Sequence, residues 1–112
     1  MPSVVNKLLG QAAPADTNPA NLYSPASGVE ARVNMVVVCN TTGSAATFRI
    51  FHDDTGSAWG TGKALCYDES VPANTTVKKS LGIAMNDASG YLGVRSDTAG
   101  ALTFTAYGTE LS

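Results

Sequence analysis

Residues able to do chemistry are few: one histidine and two cysteines stand among nine acidic and seven basic side chains in 112 residues. The densest polar run is His52-Asp53-Asp54, where acid–base work or metal binding would have to begin. Adjacent strand residues point to opposite faces, so His52 and Asp53 converge on one ligand only if the chain bends there. Asp53-Asp54-Thr55-Gly56 starts like a calcium loop but lacks the later acidic residue at EF-hand spacing. The same residues suit a solvated turn, because Asp tolerates the left-handed region and Gly supplies positive φ. Asp68-Glu69 is the other carboxylate pair, and on a strand its members also face apart. Cys39 and Cys66 lie 27 positions apart, each at the end of an apolar run. With a single distant His they cannot close a zinc site without carboxylate help. In a reducing compartment they read as two free thiols, with a disulfide as the alternative. Gly60-Thr61-Gly62-Lys63 has the composition of a phosphate loop without its first Gly or the Ser/Thr after the Lys. The sequence predicts no enzyme, no cofactor and no metal centre.

Trp59 is the one residue whose setting points to binding. It sits in a glycine-rich stretch, Ser57–Lys63, and is either folded over the domain or displayed as an aromatic platform, the kind that stacks on sugars and anchors interfaces. The charges are scattered, with Lys78-Lys79 the only basic pair, so the basic footprint of a nucleic-acid binder is missing. No run approaches the roughly 20 apolar residues of a membrane span. The start, MPSVVNKLLGQAAPAD, carries an Ala-rich imitation of a cleavage site, but Asn6, Lys7 and Gln11 interrupt the apolar core a signal peptide needs. Synthesis in the cytoplasm without export is therefore expected. In that compartment the glycosylation pattern at Asn40-Thr41-Thr42 and Asn74-Thr75-Thr76 is accidental.

The elements that must position these residues are strands. Ala, Thr, Ser, Gly and Asn are plentiful while Leu, Ile, Val and Phe are ordinary in number, a mix suited to short strands and tight turns. Strands are predicted over about Glu30–Asn40, Thr47–His52, Ala64–Glu69, Thr76–Met85, Tyr91–Ser96 and Leu102–Glu110, with a short one near Leu22–Ser24. In the first, Ala31, Val33, Met35, Val37 and Cys39 share one apolar face. Val36 and Val38 make the far half apolar on both sides, which predicts a central strand covered on both faces near its end. Phe48 and Ile50 face away from Arg49 and Phe51, while Leu102, Phe104 and Ala106 face away from the threonines around them. Seven to eight antiparallel strands with turns about every ten residues predict an all-β chain forming a single β-sandwich, jelly-roll or immunoglobulin-like. Residues 22–112 are assigned to it. Residues 1–21 hold three of the five prolines and are expected as an extended N-terminal arm. Its apolar tip, Val4, Val5, Leu8 and Leu9, docks either as an edge strand on the domain or on a neighbouring subunit, the second being favoured.

The order of short motifs carries a resemblance. Leu9-Gly10-Gln11, Leu22-Tyr23-Ser24-Pro25-Ala26 and Val36-Val37-Val38-Cys39-Asn40 come first. Ala46-Thr47-Phe48-Arg49-Ile50, Tyr67-Asp68, Val71-Pro72-Ala73-Asn74-Thr75, Leu81-Gly82-Ile83 and Ala106-Tyr107-Gly108-Thr109-Glu110 follow. Together they resemble a family of small virion structural proteins of tailed bacteriophages. The resemblance implies a non-enzymatic β-sandwich built into the particle, most simply a capsid cement (decoration) protein at the capsid surface. Its partners would be the major capsid protein and further copies of itself, as a homotrimer. The alternative is a tail- or fibre-associated module that recognises a receptor or carbohydrate through Trp59. Contact residues expected on the first reading are Val4, Val5, Leu8 and Leu9.

Overall fold

The computed structural model describes residues 4–53, 59–86 and 90–111. Through them run strands β1 (Val4–Ala12), β2 (Ala20–Tyr23), β3 (Glu30–Asn40), β4 (Ala46–Asp53), β5 (Ala64–Val71), β6 (Thr76–Asn86), β7 (Tyr91–Ser96) and β8 (Leu102–Leu111). The helical content among these residues is one 3-10 turn, Thr61–Lys63. Residues 54–56 of the turn expected at Asp53–Gly56, and residues 87–89 of the turn expected at Asn86–Gly90, lie outside the described residues.

Two four-stranded sheets form, a first in the order β1-β8-β3-β6 and a second in the order β2-β7-β4-β5. The antiparallel pairs β1–β8, β2–β7, β3–β6 and β4–β5 join the first strand to the last, the second to the next-to-last, and so inward. That is one long ribbon wound over itself, with β4–β5 as its closed end. An immunoglobulin sandwich instead pairs several successive strands within a sheet. The fold is a jelly roll.

The core lies between the sheets. Phe48 and Ile50 of β4 meet Val33, Val36 and Val38 of β3 and Phe104 of β8. Phe48 and Phe104 pack edge to face, ring centroids 6.2 Å apart at 69°, the geometry aromatic quadrupoles favour. As expected from alternation, Leu102, Phe104 and Ala106 are buried.

β3 departs from simple alternation. Between Val33 and Met35 it holds one residue more than β8 does between Gly108 and Tyr107, so Asn34 is a β-bulge. A bulge shifts the side-chain phase by one. The buried set is therefore Ala31, Val33, Val36, Val38 and Asn40, while Met35, Val37 and Cys39 turn outward and are partly exposed. The continuous odd-numbered face read from the sequence exists only up to Val33. The strand is central, between β8 and β6, but among the described residues no element covers its outer side.

The segment expected as an arm is laid along its own domain. β1 pairs with β8 from Val4↔Leu111 to Ala12↔Phe104, and β2 begins at Ala20, inside the stretch assigned to the arm. Leu9 and Ala12 pack on the core, Gln11 Nε2 donates to Thr105 Oγ1 at 3.1 Å, and Pro14 is buried with its carbonyl accepting from the Gly100 amide at 3.0 Å. The proline-rich part serves as the crossing from one sheet to the other, where a missing amide donor costs no ladder bond.

Asn40, 1% exposed, locks the corner after β3. Its Nδ2 donates to the carbonyls of Ser44 (2.8 Å) and Val71 (3.0 Å), and its Oδ1 accepts from the amide and hydroxyl of Thr42 at 2.9 and 2.8 Å. All of its hydrogen-bonding capacity is used, so the side chain offers no glycan acceptor.

Candidate functional site

The expected contact residues collect on β1, an edge strand hydrogen-bonded only to β8. Val4 is 70% exposed, Val5 49% and Leu8 44%. Leu9, at the irregularity between Leu8 and Gly10, turns in against the core. The Leu22 carbonyl crowds Gly10, so β2 covers the far end of β1 and leaves Val4–Leu8 as the open stretch. Edge strands are usually blunted by charge or proline. Here the one charge, Lys7, is 3.2 Å from Glu110, and there is no proline.

Polar side chains close both long sides of the sandwich. On the β1/β2 side the Tyr23 hydroxyl donates to Glu110; that bond and Lys7 hold the Glu110 carboxyl below the usual range, against the opposing effect of burial. Burial, then Glu110, pushes the Tyr23 phenol upward. On the β5/β6 side Lys79 Nζ lies 2.7 Å from Glu69 Oε1. The Cys66 thiol, then Lys79, lowers Glu69. Cys66 itself is raised to about 12, first by burial and then by Glu69. The sign of the pH dependence follows. Glu69 and Glu110 stabilise the fold fully above their unfolded values near 4.3, and that contribution is lost as pH falls through their lower folded values. Cys66 and Tyr23 keep their protons in the fold, so stability also declines above about pH 8.5, where an unfolded thiol ionises, and further above about 10. Thermal melts across pH should therefore show a plateau between about 5 and 8.5; a Tm still climbing at pH 10 contradicts both assignments.

Both cysteines are free. Cys66 faces the core while Cys39 lies on the outer side of the first sheet, opposite Thr103 and Thr76.

Trp59 lies on the outer side of the second sheet, partly buried. Its ring is 6.3 Å from that of Phe51 and passes over Gly93, where a Cβ would sit 2.7 Å from the indole. Phe51 and Gly93 are cross-strand partners, so Trp59 roofs a site that needs a glycine. Its role as a contact residue would have to use the remaining face. Gly93→Ala is expected to displace the indole, shift the emission of this sole Trp to the red and raise its quenching by iodide. Because a side chain and not backbone must move, Tm should fall by less than about 10 °C. Unchanged emission would place the indole elsewhere. Nearby, Arg49 forks onto Asp68 (Nε–Oδ1 2.7 Å, Nη2–Oδ2 3.2 Å) with its guanidinium 3.9 Å over the Tyr67 ring. Asp68 holds this position at a bulge with φ 52°, a conformation Asp tolerates.

The polar runs do not converge. His52 and Asp53 project to opposite sides, with Asp53 buried and 3.3 Å from Lys63. Asp68 and Glu69 go to Arg49 and Lys79 respectively. Among the described residues no three His, Cys, Asp or Glu side chains gather as they would around a metal ion. Sequence reasoning missed the outward Met35 and Val37, because their exposure depends on the Asn34 bulge, whereas Tyr107 follows the alternation of β8 and is exposed on the side opposite Phe104 and Ala106.

No protein-family model and no curated protein sequence matches the chain. Solved structures do. A chain in the acid-stable capsid structure of Helicobacter pylori bacteriophage KHP30 matches with TM-score 0.54 at 11% identity, over 100% of this chain and 94% of that one. A chain of infectious bursal disease virus, Gx strain, gives 0.54 at 14% identity over 99% of this chain. Tobacco streak virus coat protein gives 0.50 at 10% identity over 99% of this chain and 85% of that one. These neighbours are viral capsid and coat chains, and at such identities they share the jelly-roll fold with this one. The chain spans about a third (32%) of the bursal disease virus chain.

Proposed function

We propose that the chain is a virion structural protein, a capsid cement module of bacteriophage type that binds across neighbouring shell subunits. The observation that carries this reading is the whole-length match to a phage capsid chain of nearly the same size. The open edge Val4–Leu8 also supports this reading, because unpaired strand backbone with exposed Val4, Val5 and Leu8 is a template for a strand from another subunit. Copies arranged about a symmetry axis, as a homotrimer, would multiply a weak single contact. The tail- or fibre-associated reading draws less support, since Trp59 spends one face on Phe51 and Gly93.

Cryo-electron microscopy of particles carrying the chain tests this. Density at local three-fold axes of the shell, with β1 against a neighbouring subunit, is the expected result. Copies confined to the tail would sink the cement reading and put Trp59 forward as a receptor contact.

A further inference from the structure

Given the structural-protein reading, we infer that the outer face of the first sheet, beyond the β1 edge, docks on a partner protein whose contact patch is apolar at its centre and rimmed with carboxylates. The Asn34 bulge turns Met35 and Val37 outward, and the registers set Met35 beside Tyr107 and Tyr107 beside Leu8. Tyr107 and Leu8 are each 44% exposed. An apolar band therefore crosses three strands with no described element over it. The second sheet behaves differently: its outward Phe51 is roofed by Trp59.

The charges identify the occupant. Lys7, Arg49, Lys63 and Lys79 are ion-paired, and Arg95 Nε donates to the Thr17 carbonyl at 2.9 Å. Among the described residues the two cations left without such a partner are Arg32 and Lys78. Both project from this same outer face, Arg32 opposite Thr109 and Lys78 opposite Val37. Glu30 is the acidic residue described there. Two depressions open on the face, about 640 Å³ beside Arg32 and 390 Å³ beside Tyr107 and Leu8, room for projecting side chains. Covering Arg32 and Lys78 without counter-charges would be costly, so the partner must bring carboxylates. A second copy seated face to face would bring four cations against only two carboxylates, Arg32 and Lys78 against Glu30 in each copy, and leave the excess positive charge unpaired.

The test is rebinding to particles stripped of the chain, by co-sedimentation at two salt concentrations. Arg32→Glu with Lys78→Glu changes only exposed positions and is expected to weaken binding at least about tenfold, and wild-type binding is expected to weaken with salt. Leu65→Ser, on the exposed side of β5, should bind as wild type. Full binding by the charge-reversed chain overturns the inference and leaves the virion reading standing. Wild-type chain that binds no stripped particle overturns both. A wild-type dimer by ultracentrifugation that dissolves on charge reversal overturns it in favour of self-association.

Discussion

Gly108→Ala is expected to cost about 3 kcal/mol or more and to lower Tm by more than about 10 °C. Alanine in a strand interior is ordinarily no worse than glycine, so the direction comes from the site alone. A Cβ at Gly108 would lie 2.0 Å from the Arg32 carbonyl oxygen and 2.9 Å from Leu9 Cδ1. The leucine can rotate, but the carbonyl belongs to β3 just before its bulge and can move only if the central ladder of the first sheet moves. A Cβ at Gly10 would lie 2.2 Å from the Leu22 carbonyl oxygen, so Gly10→Ala should behave similarly. Gly43, with nothing within 4 Å, is the control: Gly43→Ala should stay within about 0.5 kcal/mol. Equal melting temperatures for Gly108→Ala and Gly43→Ala would mean that β3 and β8 do not approach here as described.

The second large effect is Asn40→Asp, a change of one atom. The Asn40 amide donates to two carbonyls from within the corner, and a carboxylate there would face both with no donor to offer. Leaving those acceptors unmet beside a buried charge costs about 3–5 kcal/mol at neutral pH. A carboxyl in such a site takes up a proton, so its folded pKa rises above the unfolded 3.9 or so. Folded chain then holds a proton that unfolded chain releases. The variant should be least impaired near pH 3 and lose up to about 1.4 kcal/mol per pH unit above about pH 4 relative to wild type. Denaturant melts at pH 3.5, 5 and 7 read this out. A deficit that does not change with pH would show the side chain reaching water.

Much of the architecture could be read from residue order alone. Val, Thr and Phe alternating between Pro-, Asn- and Gly-containing turns specify strands locally, and Phe48/Ile50 against Arg49/Phe51 specify which side of β4 is buried, because the period of two is a property of the chain itself. The scarcity of titratable clusters was equally plain. Tertiary structure decided the rest. Whether the sandwich is a jelly roll depends on which distant strands pair, and β1 with β8 is a partnership no local pattern encodes. The same pairing decided where Val4–Ala12 lies. The Asn34 bulge arises from fitting β3 to two neighbours at once, and it reversed the faces of Met35, Val37 and Cys39 against the alternation. The apolar centre of the proposed docking face on β3 was therefore hidden in the sequence: Met35 and Val37 look like core until the second sheet is seen to lie on the other side.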